Sequence, residues 1–258
     1  MTELKALIFD VDGTLADTEK DGHRVAFNLA FQQAGLDWDW TVELYGQLLK
    51  VTGGKERIRY YLDEFNQDFE RPENLDHYIA ELHKSKTAVY TRLLSEGLIP
   101  LREGVKRLIT EAREAGMRLA IATTTTPANV SALLKHAMDE DAESWFEVIG
   151  AGDIVPAKKP ANDIYCYVLD KMGLEPGECL AFEDSHNGIL SSLGADLETI
   201  ITVNDYTRDH DFSGALLVLD HMGDPGHAFK VLSGPSVSDS YLSVDLLKKL
   251  HQQITVDV

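Results

Sequence analysis

Leu4-Lys5-Ala6-Leu7-Ile8-Phe9-Asp10-Val11-Asp12-Gly13-Thr14 is the stretch on which the fold turns. Its short apolar run, 4–9, ends abruptly in carboxylates and reads as a buried parallel strand with polar residues at its C-terminal end. From 100 onward the chain repeats that design. A helix at 105–115 stops at Gly116, and a strand at 118–122 leads into four threonines, Thr123 to Thr126. A helix at 127–138 opens on Pro127, which suits a first helical turn. Then come a strand at 146–151, a helix at 164–172 backed by Gly173, and a strand at 179–182 ending in Glu183-Asp184. A helix at 186–193 and strands at 199–203 and 216–219 follow, with a helix and loop expected over 229–249 and fraying over 255–258. Such alternation predicts an α/β fold, a parallel sheet with helices on both faces. Ligands gather at the carboxyl ends of strands in these sheets, where Asp10, Asp12, Thr123, Glu183 and Asp184 all fall.

Between the first strand and this alternating region the periodicity is helical throughout. The stretches 23–34 (closed by Gly35), 41–49, 55–65 and 75–95 carry it, and no convincing strand interrupts them. The expected division is therefore a core of 1–15 and 97–258 with an all-helical insertion at 16–96. The 258 residues carry 43 Asp and Glu against 24 Lys and Arg, a net charge of −19. With no basic excess to displace counterions, nucleic acid and anionic membrane are excluded as partners. No stretch approaches the roughly 18 to 20 apolar residues that span a bilayer. Cys166 and Cys179 lie outside any CxxC pattern, read as small buried hydrophobes, and fit a reducing compartment. A monomer is expected in the cytoplasm, or in an organelle stroma if a transit peptide has been removed.

Three carboxylates at strand ends, Asp10, Asp12 and Asp184, would repel one another without a cation, and hard oxygen donors favour Mg²⁺. Taken alone, Asp10-Val11-Asp12-Gly13-Thr14 also fits an acidic turn. The same segment after an apolar strand resembles the first motif of the haloacid dehalogenase superfamily. The remaining motifs appear in order: Thr123 at a strand end, Lys159 before Pro160, and Glu183-Asp184 after the strand at 179–182. The resemblance covers nearly the whole chain. It implies a Rossmannoid core in which Asp10 attacks phosphorus and becomes an aspartyl phosphate, while Asp12 protonates the leaving oxygen and then activates water. It also implies Mg²⁺ held by Asp10, the backbone carbonyl of Asp12 and Asp184, with Glu183 behind them. Lys159 would neutralise charge, and Thr123 with nearby amides would bind phosphate oxygens. Asp12 points to phosphoryl transfer rather than dehalogenation. Thr14 favours hydrolysis over the β-phosphoglucomutase-like alternative.

The helical insertion occupies the position of the superfamily's C1 cap, which implies a small substrate. Thr52-Gly53-Gly54-Lys55-Glu56-Arg57 sets a flexible turn before a helix, a layout that aims amides at an anion. With Lys86, Tyr45, Asp17, His23 and the threonines after 122, it resembles the CbbY-type phosphatases of carbon-fixing organisms. Those enzymes remove xylulose-1,5-bisphosphate, an inhibitory by-product of Rubisco. The resemblance implies that Lys55, Arg57 and Lys86, beside Gly53 and Gly54, hold a distal phosphate. Asp17 and Tyr45 would contact sugar hydroxyls, and Thr124, Thr125 and Asn129 would complete the site. Two departures stand out: one extra residue before His23, and Asp17 where a longer glutamate is common.

Overall fold

The computed structural model describes residues 3–51 and 53–254; Thr52 of the glycine turn and the expected frayed end at 255–258 lie outside the described residues. By internal packing the chain divides into two compact units, Met1–Asp17 with Pro100–Val258, and Thr18–Ile99.

The first unit is built on a sheet of order β3-β2-β1-β4-β5-β6-β7. Its strands are β1 (Ala6–Phe9), β2 (Arg118–Ala122), β3 (Val148–Gly150), β4 (Cys179–Glu183), β5 (Glu198–Thr202), β6 (Leu217–Leu219) and β7 (Val231–Ser233). All neighbours are parallel except β6 and β7. β1 is wholly buried, as its unbroken apolar run requires of a strand covered on both faces. Phe9 pairs with Ile121 of β2 and with Phe182 of β4. The next row of the sheet therefore sets Asp10 level with Ala122 and Glu183. The chain order reverses between β1 and β4, so this row sits at the topological switch point, where α/β sheets open a crevice.

Helices cover the sheet by their apolar faces. α5 (Val105–Glu114) buries Val105, Leu108, Ile109 and Ala112. α7 (Asp163–Met172) buries Ile164, Tyr165, Val168, Leu169 and Met172 against β1, β2 and β4. α6 (Pro127–Leu133) and α8 (His186–Leu193) open on side-chain caps, Thr126 and Ser185. α9 (Val244–Ile254) closes the unit.

The second unit consists of α1 (Val25–Gln33), α2 (Val42–Leu48), α3 (Gly54–Glu64) and α4 (Leu75–Ser95), entered through a π-helix at Thr18–Arg24. Its core is aromatic: Trp40 meets Phe27 at 4.6 Å, Phe31 at 4.9 Å and Tyr61 at 5.4 Å between ring centroids. Asn28 fixes the turn carrying Trp40, accepting from its backbone N–H at 2.9 Å and donating to its carbonyl at 3.1 Å.

Three expectations need correction. Cys166 is exposed, whereas Cys179 is buried as expected. The apolar positions of α7 flank Cys166 on the sheet-facing side and leave it off that face. Residues 229–249 hold a strand as well as the start of a helix, because β7 pairs antiparallel with β6. The helices at 23–34 and 127–138 change winding, with π-helical turns at Thr18–Arg24 and Leu134–Met138 joined to regular α1 and α6.

Candidate active site

Register alone assembles the centre of the site. Asp10, Ala122 and Glu183 lie in one row of the sheet, and Lys159 Nζ donates to all three. Its distances are 2.6 Å to Asp10 Oδ1, 2.9 Å to the Ala122 carbonyl and 2.5 Å to Glu183 Oε1. Burial opposes the charge of this ammonium, but Asp10 and Glu183 outweigh it and hold its pKa above the ordinary lysine value. Tyr165 on α7 donates to the same Glu183 Oε1 at 2.7 Å. Burial, then the charge of Glu183, raises the phenol well above its usual range, so it remains a donor.

Glu183 is 1% exposed. Burial pushes its carboxyl up to about 7, Asp10 adds to the rise, and Lys159 and Tyr165 restrain it. Asp184 accepts from Asn204 Nδ2 at 2.7 Å. Burial and the neighbouring charges of Asp10 and Glu183 drive its pKa well above the usual carboxylate range, against the pull of Arg102 and Asn204.

Asp10, Glu183 and Asp184 each bring a carboxylate oxygen within 4.8 Å of the others. Three buried carboxylates face a single ammonium, and the deficit of positive charge fits a hard divalent cation on oxygen ligands. Glu183 already receives Lys159 and Tyr165 on one oxygen, which suits an orienting role more than direct ligation.

Asp12 is half-buried in a tight turn closed by Gly13 N to Ala16 O at 2.8 Å and Leu15 N to Val11 O at 2.9 Å. Arg102 fastens this turn to the sheet. It donates to the Gly13 carbonyl, to Thr202 O at 2.9 Å, to Val203 O at 2.5 Å and to Asp220 O at 3.1 Å. Asp17 pairs with its Nε at 3.1 Å. Thr123 is buried at the end of β2, and its hydroxyl accepts from Thr125 N at 3.3 Å. Asn129 Nδ2 donates to Thr125 Oγ1 at 3.3 Å, while Thr124 is exposed.

The helical unit holds a second polar cluster. Arg57 on α3 donates to Tyr45 OH at 2.6 Å, and that hydroxyl donates to Glu19 Oε2 at 2.6 Å. Glu19, two residues beyond Asp17, is thus the carboxylate bonded within this cluster. Burial raises the Glu19 carboxyl, but His23, Arg57 and Tyr45 together bring it below its ordinary value. Lys86 on α4 donates to His23 Nδ1 at 2.8 Å and lies over the rings of Phe27 and Tyr90. Burial lowers Lys86 to about 8 and His23 to about 4, so at neutral pH the lysine is charged and the imidazole is not. Gly53 has φ +95°, Gly54 opens α3, and Lys55 is exposed on its first turn.

Glu19, Arg102, Tyr165 and Asn204 are the site residues that sequence reasoning missed. Asn204 immediately follows the strand expected at 199–203, so the strand-end rule that found Asp10 could have found it.

Residues 4–196 match the family described as haloacid dehalogenase-like hydrolase. Protein CbbY of Rhodobacter capsulatus is 50% identical over 213 residues, covering 83% of this chain and 91% of that protein. The plasmid protein CbbY of Cupriavidus necator is 48% identical over 222 residues, 86% of this chain and 87% of that protein. The fold is also similar to a crystal structure of an Asp-to-Asn mutant of CbbY from Rhodobacter sphaeroides in complex with xylulose-1,5-bisphosphate. That match has a TM-score of 0.68 and 44% identity over 84% of this chain and 94% of the other. No helix among the described residues is long and apolar enough to cross a membrane.

Proposed function

The chain belongs to the haloacid dehalogenase-like hydrolases, and from that premise we propose that it is an Mg²⁺-dependent phosphatase of a small sugar bisphosphate, xylulose-1,5-bisphosphate before others. The observation that carries the reading is Lys159, bonded at once to Asp10 and Glu183 beside a third buried carboxylate, Asp184.

Asp10 is the nucleophile. A carboxylate approaching a phosphate dianion meets repulsion of about 4 kcal/mol per charge pair at 4 Å and an effective dielectric of 20. Lys159 reduces that repulsion from within 2.6 Å of the attacking carboxylate. Mg²⁺, held by Asp10, Asp184 and the Asp12 carbonyl, would supply the remaining neutralisation. Asp10 bonds to phosphorus as the ester oxygen leaves, and Asp12 gives that oxygen a proton. The ionised Asp12 then takes a proton from the water that cleaves the aspartyl phosphate, which returns both carboxylates to their starting states. Thr123 Oγ1 and neighbouring amides serve the phosphoryl oxygens, and Lys159 retains the charge of the phosphorylated Asp10.

Preference for a bisphosphate is supported by the buried cations of the helical unit, Arg57 and Lys86, each 8% exposed. A desolvated cation is worth more to an anion than a solvated one. The relative crystallised with xylulose-1,5-bisphosphate is 44% identical to this chain.

The test is a panel of phosphorylated pentoses and hexoses ranked by kcat/KM, with released phosphate and recovered sugar both measured. Stoichiometric phosphate is expected, with xylulose-1,5-bisphosphate ranked first. Isomerised monophosphate without release would overturn the reading. Asp10→Asn is expected to bind substrate without turnover, and retained turnover would exclude the covalent route.

A further inference from the structure

Asp184 is held by a side chain from outside the ordered motifs. Asn204 lies two residues beyond β5, the sheet neighbour of β4, and its Nδ2 donates to Asp184 Oδ2 at 2.7 Å. Among the described residues this is the sole hydrogen bond to the Asp184 carboxylate. Oδ2 is therefore committed, and Oδ1 is left to serve a cation.

The amide presents only its donor end to the site. Its Oδ1 accepts from Tyr206 N at 2.9 Å, which assigns the oxygen and turns the NH₂ group toward Asp184. The Asn204 backbone N–H donates to Thr207 Oγ1 at 3.0 Å, and Thr207 N donates back to the Asn204 carbonyl at 3.2 Å. Backbone and side-chain oxygen are thus both anchored within the loop, and the remaining donor is fixed before any ligand arrives.

Two other segments close on the same pair. A Cβ at Gly13 of the catalytic turn would come within 2.1 Å of Asp184 Oδ2 and 2.8 Å of Asn204 Nδ2. The turn after Asp12 therefore packs against the Asn204–Asp184 bond with no room for a side chain. Arg102 ties both partners of that contact together, because it donates to the Gly13 carbonyl and to those of Thr202 and Val203, the two residues before Asn204. The loop that begins at Asn204 also returns to the chain beside Asp184. His186 N donates to His210 Nδ1 at 3.2 Å, and His186 Nδ1 donates to Asp211 O at 2.8 Å. Ser213 N and Oγ hold Asp211 Oδ1 at 2.9 and 2.6 Å.

A carboxylate bonded through one oxygen has one orientation, whereas a free one turns and offers either oxygen. Partners that orient a metal ligand in this way are worth about 10- to 100-fold in metal affinity. We propose that Asn204 is the positioning residue of the cation site: by occupying Asp184 Oδ2 it leaves Oδ1 as the ligand oxygen and so sets the affinity for Mg²⁺. The inference rests on the Mg²⁺ reading of Asp10, Asp12 and Asp184 given above.

The test is Mg²⁺ titration of the full-length protein by calorimetry, after stripping with EDTA and desalting, with the metal-free Tm measured alongside. Asn204→Ser keeps a local acceptor for Tyr206 N–H, but its hydroxyl is too short to reach Asp184. Asn204→Ala removes both functions. Thr207→Val disturbs the loop alone, since it takes the acceptor from the Asn204 N–H and leaves the amide beside Asp184. Wild type is expected to bind one equivalent, with Kd raised about tenfold in both Asn204 variants and less than twofold in Thr207→Val. The Mg²⁺ concentration for half-maximal turnover should rise by the same factor in Asn204→Ser, with kcat recovered at saturating Mg²⁺. A merely structural role would lower the metal-free Tm of Asn204→Ser and Thr207→Val alike and leave the Mg²⁺ affinity unmoved. Unchanged Kd in the Asn204 variants, or an equal rise in Thr207→Val, would overturn the role of Asn204 while leaving the cation reading intact. Failure of the wild type to bind Mg²⁺ would overturn that reading and this inference with it.

Discussion

With divalent cations removed, the sheet-bearing unit should lose stability as pH rises from 6 to 8.5. Glu183 sets the magnitude. Its folded pKa is about 7 against an ordinary value of 4.5. Between those values the folded state holds a proton that the unfolded state has released, so stability falls as pH rises and levels off above the folded pKa. From pH 6 to 8.5 that amounts to on the order of 1 kcal/mol for this one group. In a unit of this size it corresponds to roughly 2 to 4 °C in Tm. Asp184, whose pKa is also raised, adds in the same direction. Lys159 adds no slope, because its raised pKa keeps it charged throughout the window.

The assay is scanning calorimetry in EDTA at half-unit pH intervals, comparing wild type with Glu183→Gln. His23, depressed to about 4, tilts stability upward with pH until about 6.5, but both proteins share it and it cancels in their difference. Wild type should fall relative to the variant by the stated amount. Adding Mg²⁺ should reverse the fall at high pH, where the carboxylates are ionised, by about 2.7 kcal/mol at a hundredfold excess over Kd. Parallel curves for the two proteins in EDTA would refute the reasoning, since they would mean that burial of Glu183 costs nothing in its ionised form.

Lys86→Ala should raise KM for a bisphosphate about tenfold, or 1.4 kcal/mol, while changing KM for the corresponding monophosphate less than twofold. Equal changes would remove Lys86 from the distal site. Because Lys86 is lowered to about 8, wild-type KM for the bisphosphate should climb above that pH, and the variant's should not. Gly188→Ala would drive a methyl group into the Glu183 carboxylate. It should cost about 1 to 3 kcal/mol as overpacking, read as a lower Tm; an unchanged Tm would mean that Glu183 is not packed against α8.

The strand ends were legible because sheet register converts a local pattern into position. Once β1, β2 and β4 are parallel neighbours, Asp10 and Glu183 must lie in one row, and the apolar runs at 118–122 and 179–182 announce both partners. Lys159 was found by its place before Pro160 in an ordered set of motifs. Arg102 was not, because its bonds go to the carbonyls of Gly13, Thr202, Val203 and Asp220, and a backbone acceptor has no sequence signature. Tyr165 was hidden by its ring, which fills the core with the other apolar residues of α7 while only its hydroxyl reaches Glu183. β7 was illegible for another reason. Its three residues are exposed and pair only with the short β6, so no burial alternation marks them.

The π-helical turn before α1 shows how aromatic packing constrains the helical unit. A π-helical turn holds more residues than an α-helical one, and the chain is π-helical over Thr18–Arg24 and regular from Val25. Any additional residue in this stretch is therefore accommodated before α1 begins. Carried into α1 instead, one residue would rotate its apolar face by about 100°. Phe27 and Phe31, both fully buried, would then leave Trp40, at a cost of about 1.5 to 3 kcal/mol each. A short stretch of irregular backbone costs less than losing both rings. The same turn brings Glu19 to Tyr45 and His23 to Lys86, while Asp17 pairs with Arg102. The seating of Phe27 and Phe31 on Trp40 and the placing of Glu19 beside Arg57 thus rest on the same stretch of backbone.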